Sequence, residues 1–91
     1  MTNKYIYTAS YCNVDEDDEK MIKASTSLLK LQTYCMKKAE KIVKLNNEEI
    51  SPDYCSLYRR RKGNIITLII HRFDEKWDVI EWFTIKRVTL L

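Results

Sequence analysis

The chain contains a single glycine, Gly63, and a single proline, Pro52. Loops that cradle phosphate groups need glycines, because their backbone approaches the ligand closely and takes positive φ angles. No such loop can be placed anywhere in this sequence. The glycine count therefore excludes most nucleotide-dependent enzyme classes, and we expect no cofactor and no enzymatic activity.

The length and composition are those of one small globular domain. The chain has 91 residues, of which 45% are hydrophobic and 32% are charged, with a formal net charge of +3, so a single domain over residues 1–91 is expected. The longest apolar runs, at residues 65–66 and 68–70, are far shorter than the ~20 residues that span a bilayer. No apolar export segment follows Met1. We expect a cytoplasmic protein without a membrane partner.

Residues with AT-rich codons greatly outnumber those with GC-rich codons. Such a bias indicates an AT-rich bacterium, phage or other virus as the source. A phage accessory protein acting in the host cytoplasm is the expected setting.

The three cysteines, Cys12, Cys35 and Cys55, are widely spaced and form no C-x-x-C pair. Structural zinc needs a cluster of Cys and His ligands. A Cys₃His site with His71 is arithmetically possible, but three reduced, partly buried thiols and no metal are the expectation.

The residue pattern predicts one strand, one long helix and three further strands. Residues 4–11 are β-branched and aromatic, which favours a strand. Asn13 is the expected N-cap of a helix that continues to about Leu45, with apolar residues three, four or seven positions apart. Residues 25–27 are its weak point, where it could kink or split. Strands are predicted at residues 54–61, 65–73 and 77–90. The fold class is therefore α+β, in the order β-α-β-β-β, with one long amphipathic helix packed on a mainly antiparallel four-stranded sheet.

Hairpin registers then assign side chains to the two sheet faces. A two-residue turn at Gly63-Asn64 and a three-residue loop at residues 74–76 fix the pairing. The face under the helix then carries Cys55, Leu57, Ile66, Leu68, Ile70, Ile80 and Trp82. The other face carries Tyr54, Tyr58, Ile69, Phe73, Trp77, Val79, Phe83 and Ile85, interspersed with Arg60, His71, Glu81 and Arg87. One helix covers one face only, so the second face is expected to be an exposed interaction surface.

The predicted helix is also longer than the predicted strands. About 27 helical residues span roughly 40 Å, while an eight-residue strand spans roughly 27 Å. An overhanging apolar stripe could be covered by a second subunit, or a kink at residues 25–27 could remove the overhang.

Two candidate chemical sites have simpler structural explanations. His71 is the only histidine, and Ser56 lies opposite it in the predicted hairpin, with Asp53 or Glu81 as a conceivable orienting carboxylate. A partly exposed strand histidine is the simpler interpretation. The acidic residues 15–19 could bind a cation or mimic phosphates, but they lack the spacing of a calcium loop. Stabilisation of the helix start by its dipole is the simpler interpretation there.

A nucleic-acid interpretation rests on the basic run at residues 59–62. Cations beside aromatic rings hold single-stranded RNA on a sheet. The candidate RNA-binding residues are Tyr58, Arg59, Arg60, Arg61, Lys62 and Arg72. Against this, the net charge is modest and no RNP-type motif is present. Seven lysines along the predicted helix (Lys20, Lys23, Lys30, Lys37, Lys38, Lys41 and Lys44) are typical of a solvent-facing helix side.

The sequence thus favours a small non-enzymatic binding protein, a regulator or inhibitor that docks its aromatic-rich second face on a protein partner. The expected partner-binding residues are Tyr54, Tyr58, Arg60, Phe73, Trp77, Phe83 and Arg87. Single-stranded RNA is the alternative ligand, and a homodimer could bury the same face.

Overall fold

The computed structural model describes residues 4–15, 19–50, 54–73 and 77–90, and these form one helix packed on a five-stranded antiparallel sheet. The elements are β1 (Lys4–Asn13), β2 (Lys20–Ser25), α1 (Leu28–Glu49), β3 (Cys55–Lys62), β4 (Ile65–Phe73) and β5 (Trp77–Leu90). The α+β class agrees with the sequence prediction, but the sheet has five strands instead of four.

The sheet order is β2-β1-β5-β4-β3. The first strand, β1, lies between β2 and β5. β5 is the longest strand, with 14 residues, and pairs with β1 on one side and β4 on the other. β2 and β3 form the two edges.

The additional strand, β2, lies where the sequence predicted the first turns of the helix. It pairs with β1 from Tyr7↔Ser25 to Tyr11↔Lys20. The apolar residues of β2 have helical spacing, but the segment forms a strand. Its pairing with β1 satisfies the backbone N–H and C=O groups along an edge of β1 that would otherwise be exposed. Asn13 is accordingly not a helix cap, and its Oδ1 accepts a hydrogen bond from the Asp15 N–H at 2.9 Å.

The helix begins within the serine- and threonine-rich segment that the sequence marked as its weak point. Ser27 has extended backbone angles, and its side chain accepts a hydrogen bond from the Lys30 N–H at 3.3 Å, which makes it the N-cap. Because the helix starts here, the acidic residues 15–19 precede β2 and do not stabilise a helix start. Residues 16–18 lie outside the described residues.

The helix is shorter than predicted and shorter than the longest strand. Its 22 residues span about 33 Å, whereas the 14 residues of β5 span roughly 46 Å. Of the two alternatives, an unbroken overhanging helix and an interruption at residues 25–27, the structure has the second, so the helix length gives no argument for a second subunit.

The β3–β4 hairpin has the predicted register. Arg60 pairs with Thr67 and Ser56 with His71. Gly63 supplies the positive φ (59°) of the two-residue turn, a conformation that residues with a Cβ rarely adopt.

The β4–β5 register begins as predicted, with Phe73↔Trp77 and Arg72↔Asp78, but then shifts by one residue. After this irregularity Leu68 pairs with Phe83 instead of Trp82, and Ile66 pairs with Ile85. The one-residue shift moves each following side chain of β5 to the sheet face opposite the predicted one. Without it, Trp82 and Lys86 would face the helix. The predicted loop at residues 74–76 lies outside the described residues.

The core lies between the helix and one sheet face. Leu31, Cys35 and Ala39, spaced four apart on α1, are completely buried, and they belong to one cluster with buried sheet residues. These sheet residues are Ala9, Cys55, Ile66, Leu68, Ile70, Phe83 and Ile85. All three cysteines are free and buried, more completely than the partly buried thiols that the sequence predicted. Burial raises the pKa of Cys35 to about 11, with a smaller opposing effect from Lys38.

Candidate interaction surface

The sheet face opposite α1, here called the open face, consists of side chains in rows that cross the strands. The register places Tyr58, Ile69, Trp82 and Cys12 in one row, and Arg60, Thr67, Thr84, Ser10 and Met21 in the next. A third row contains Lys62, Ile65, Lys86, Thr8 and Ala24. In the described part of the chain no helix covers these rows. The open face is therefore a candidate docking surface.

The first row is the apolar part of the open face. Tyr58 at its β3 end is 54% exposed, whereas Cys12 at its β1 end is 3% exposed. Ile69 and Trp82 between them are partly exposed. The Tyr58 ring lies edge-on to the His71 ring at 6.1 Å. Large apolar side chains thus meet solvent in the centre of the sheet, where a partner would remove them from water.

The third row makes one end of the open face basic. Lys62 and Lys86 are exposed on either side of Ile65, which is itself 44% exposed. Arg60 adds a further exposed cation in the second row. These three cations favour an anionic surface on whatever docks here.

Among the described residues, Glu19 places a carboxylate on the open face. Its Oε1 accepts hydrogen bonds from the Trp82 indole N–H and from the Thr84 hydroxyl, both at 3.3 Å. Glu19 therefore orients the Trp82 ring and leaves part of the ring exposed.

The structure divides the predicted partner-binding residues among different environments. Tyr58 and Arg60 lie on the open face, as predicted. Phe83 is 2% exposed within the core, so its predicted place on the open face is wrong. Arg87 is also on the helix side, with its guanidinium 5.0 Å from the centre of the Tyr5 ring.

The other three predicted residues of this set are Tyr54, Phe73 and Trp77. Tyr54 precedes β3 and packs partly buried against the core. Phe73 and Trp77 form a backbone pair, and their side chains lie outside the described residues. The same register shift that buries Phe83 moves Ile85, Glu81 and Arg87 to the helix side and Trp82 to the open face, because the two faces of β5 are exchanged from Glu81 onward.

The basic run is divided between the two faces of β3. Arg59 and Arg61 pair with Leu68 and Ile66, residues of the helix side, whereas Arg60 and Lys62 project on the open face. Arg72 lies away from the run, next to the end of the helix. A single face therefore presents only alternate members of the predicted RNA-binding set, supplemented by Lys86.

Ser56 and His71 lie opposite each other as predicted, but Glu81 does not join them. His71 pairs with Val79 on the open face, and Glu81 pairs with Ile70 on the helix side. The Ser–His–Glu arrangement considered from the sequence therefore does not form. Asp53, the other candidate for the orienting carboxylate, lies outside the described residues.

The sequence prediction did not identify a cavity of about 660 Å³ at the C-terminal end of α1. Arg72, Glu81 and Asn46 contribute polar groups to its wall, and the Tyr11 hydroxyl donates a hydrogen bond to the Glu81 carboxylate. The nearby Cys55 thiol has a raised pKa, chiefly because of burial and then because of Glu81, while Arg72 acts in the opposite direction. Only the register shift in β5 brings Glu81 here, so no local pattern could have shown this site.

Most of the predicted helical lysines do face solvent. Lys30, Lys37, Lys38, Lys41 and Lys44 are exposed on α1, whereas Lys20 and Lys23 belong to β2. Lys23 and Lys38 both lie over the Tyr34 ring, at 4.3 and 5.1 Å from its centre. Such contacts stabilise the packing of β2 beside α1.

Comparison with protein-family models, with curated proteins and with solved structures found no match. Among the described residues, none of the helical segments has the length and apolar character needed to cross a membrane. The described residues also contain no cluster of three or more His, Cys, Asp or Glu side chains that could hold a metal ion.

Proposed function

We propose that this protein is a non-enzymatic binding module, a small regulator or inhibitor, that docks its open face on an acidic surface of a protein partner. The observation that carries the proposal is the partly exposed apolar row through Tyr58 and Trp82 beside three cations. An aromatic and aliphatic centre with a charged rim is the usual anatomy of a protein-binding surface.

The partner's acidic character follows from the charges of the open face. Arg60, Lys62 and Lys86 project from it, whereas Glu19 is already engaged by Trp82 and Thr84. Complementary charges accelerate encounter and fix orientation, and burial of the apolar row provides the affinity. Tyr58 and Trp82 are the expected anchors.

Single-stranded RNA is a second candidate ligand for the same face. Tyr58 and Trp82 offer ring faces for base stacking, and the three cations could hold phosphates. The Glu19 carboxylate beside Trp82 disfavours any anion at that ring. A protein partner can place apolar groups against the ring and its acidic groups near Arg60, Lys62 and Lys86, whereas RNA carries a phosphate at every nucleotide. This difference makes a protein partner the better candidate.

The test is affinity capture from a bacterial host extract with three baits. The wild-type bait is compared with the open-face variant W82A/K86E and with the helix-surface variant L29A/K37E. Both variants remove one large apolar side chain and reverse one lysine. Leu29 is 74% exposed on α1, so its variant controls for composition. Thermal melts confirm that each bait is folded.

Protein captured by the wild type and the helix-surface variant, but lost with the open-face variant, supports the proposal. Capture that disappears after RNase treatment supports RNA instead. Light scattering of the bait alone provides a third arm, in which a dimer broken by W82A/K86E would assign the open face to self-association. Equal capture by both variants would refute open-face docking.

A further inference from the structure

The outer edge of β3 is a second surface that could bind a partner. In the described part of the chain, β3 ends the sheet and pairs only with β4. Such an edge presents backbone N–H and C=O groups that a further strand can use.

The hydrogen bonds of Cys55 show which residues of β3 point outward. Its N–H donates to Asn47 Oδ1 at 2.7 Å, and its carbonyl accepts from Asn47 Nδ2 at 3.2 Å. The Asn47 amide thus takes the position that a neighbouring strand would take. Because backbone groups alternate between the two sides of a strand, Leu57, Arg59 and Arg61 direct their N–H and C=O groups outward as well. The other residues of β3 direct theirs to β4.

The side chains along this edge are cationic on both faces of the sheet. Residues 59–62 are all exposed, with Arg59 and Arg61 on the helix side and Arg60 and Lys62 on the open face. A ligand lying on one face would meet only two of these four cations. A strand paired along the edge would meet all four, because its own side chains alternate in the same way.

We infer that the outer edge of β3 is a binding site for an acidic, extended peptide segment that adds to the sheet antiparallel to β3. Four consecutive acidic residues of the segment lie opposite residues 59–62, and apolar residues follow opposite Tyr58 and Leu57. This inference goes beyond open-face docking, because it uses backbone groups at the sheet edge. The four cations have an alternative explanation, because charges on an edge strand discourage the aggregation of sheets. The experiment below distinguishes this protective role from peptide binding.

The probe is the fluorescently labelled peptide Thr-Glu-Glu-Glu-Glu-Val-Val-Thr, whose binding to the wild-type protein is followed by fluorescence anisotropy. Two further peptides carry one N-methyl group each. In the first peptide the N-methyl group is on the glutamate that lies opposite Arg59, and the N–H of this glutamate would point towards β3. In the second peptide it is on the glutamate that lies opposite Arg60, and the N–H of this glutamate would point away from β3. The two peptides have the same charge and composition.

We expect the first N-methyl group to weaken binding by roughly tenfold or more, since it removes a strand hydrogen bond and obstructs the edge, and the second to leave binding nearly unchanged. The protein variant R59E/R61E should lose binding, whereas K37E/K41E, with the same charge change on exposed positions of α1, should retain it. Equal effects of the two N-methyl groups would reduce the interaction to charge attraction and overturn the inference. Absence of binding by the parent peptide, or tighter binding of an oligouridylate, would also overturn it.

Discussion

Substitution of Phe83 by Ala should destabilise the protein more than substitution of its neighbour Trp82 by Ala. Phe83 is 2% exposed, pairs with Leu68 across the sheet and lies with its ring centre 5.1 Å from that of Tyr11. Phe-to-Ala changes in such sites cost about 3–5 kcal/mol, because the removed atoms leave a cavity. Trp82 is partly exposed on the open face, so its substitution removes one side-chain hydrogen bond and the burial of only part of the ring, and about 1–3 kcal/mol is expected.

The assay is urea denaturation followed by far-ultraviolet circular dichroism, which does not depend on the substituted aromatic rings. A domain of this size has roughly 5–15 kcal/mol of stability, so F83A should be strongly destabilised or unfolded without urea. F83L, which retains most of the side-chain volume, keeps the comparison measurable. A larger loss for W82A than for F83A would refute the register shift in β5, because the unshifted register buries Trp82 under the helix.

Three further predictions concern the helix start, the hairpin turn and a buried thiol. Ser27→Ala should cost about 0.5–2 kcal/mol in urea denaturation through loss of the N-cap, and Ser27→Asp should restore most of it. Gly63→Ala should lower the melting temperature, since alanine is strained at a φ of 59°, and Gly63→Asn should lower it less. Because the folded state raises the pKa of Cys35 from 9.0 to about 11, the unfolded state loses its proton first. The free energy of unfolding should therefore fall by up to about 2.7 kcal/mol between pH 9 and 11. In Cys35→Ala the free energy of unfolding should fall less over this pH range, by the same amount. Equal pH profiles of stability for the wild type and this variant would contradict a raised pKa of Cys35 as the cause.

The β3–β4 hairpin was predictable because its information is local. Gly63-Asn64 determines the turn, and the turn determines every pair from Arg60↔Thr67 to Ser56↔His71. Tyr58 and Arg60 were therefore placed correctly on the open face.

β2 was not predictable from its own residues. Met21 and Ala24 continue the apolar spacing of the helix, and the segment from Lys20 to Ser25 is rich in good helix formers. It forms a strand because the outer edge of β1 offers backbone partners, which is a non-local effect. The only local sign was the serine- and threonine-rich segment that now contains the N-cap Ser27.

The register shift in β5 had no local signature either, and it changed the candidate site most. Because the shift turns the strand over, Ile85 and Phe83 enter the core, while Trp82 and Lys86 reach the open face. Burial of two large apolar residues in place of a lysine and a partly polar indole is the physical reason. A face that the sequence assigned to Phe83 is therefore built around Trp82.

The most direct test of the proposed function is the affinity of the captured, purified partner for the wild type and the two matched double variants. We expect W82A/K86E to raise the dissociation constant by roughly tenfold or more, as loss of an interface anchor does, and added salt to weaken the wild-type complex. The variant L29A/K37E should bind like the wild type. A dissociation constant that W82A/K86E leaves unchanged would contradict docking through the open face.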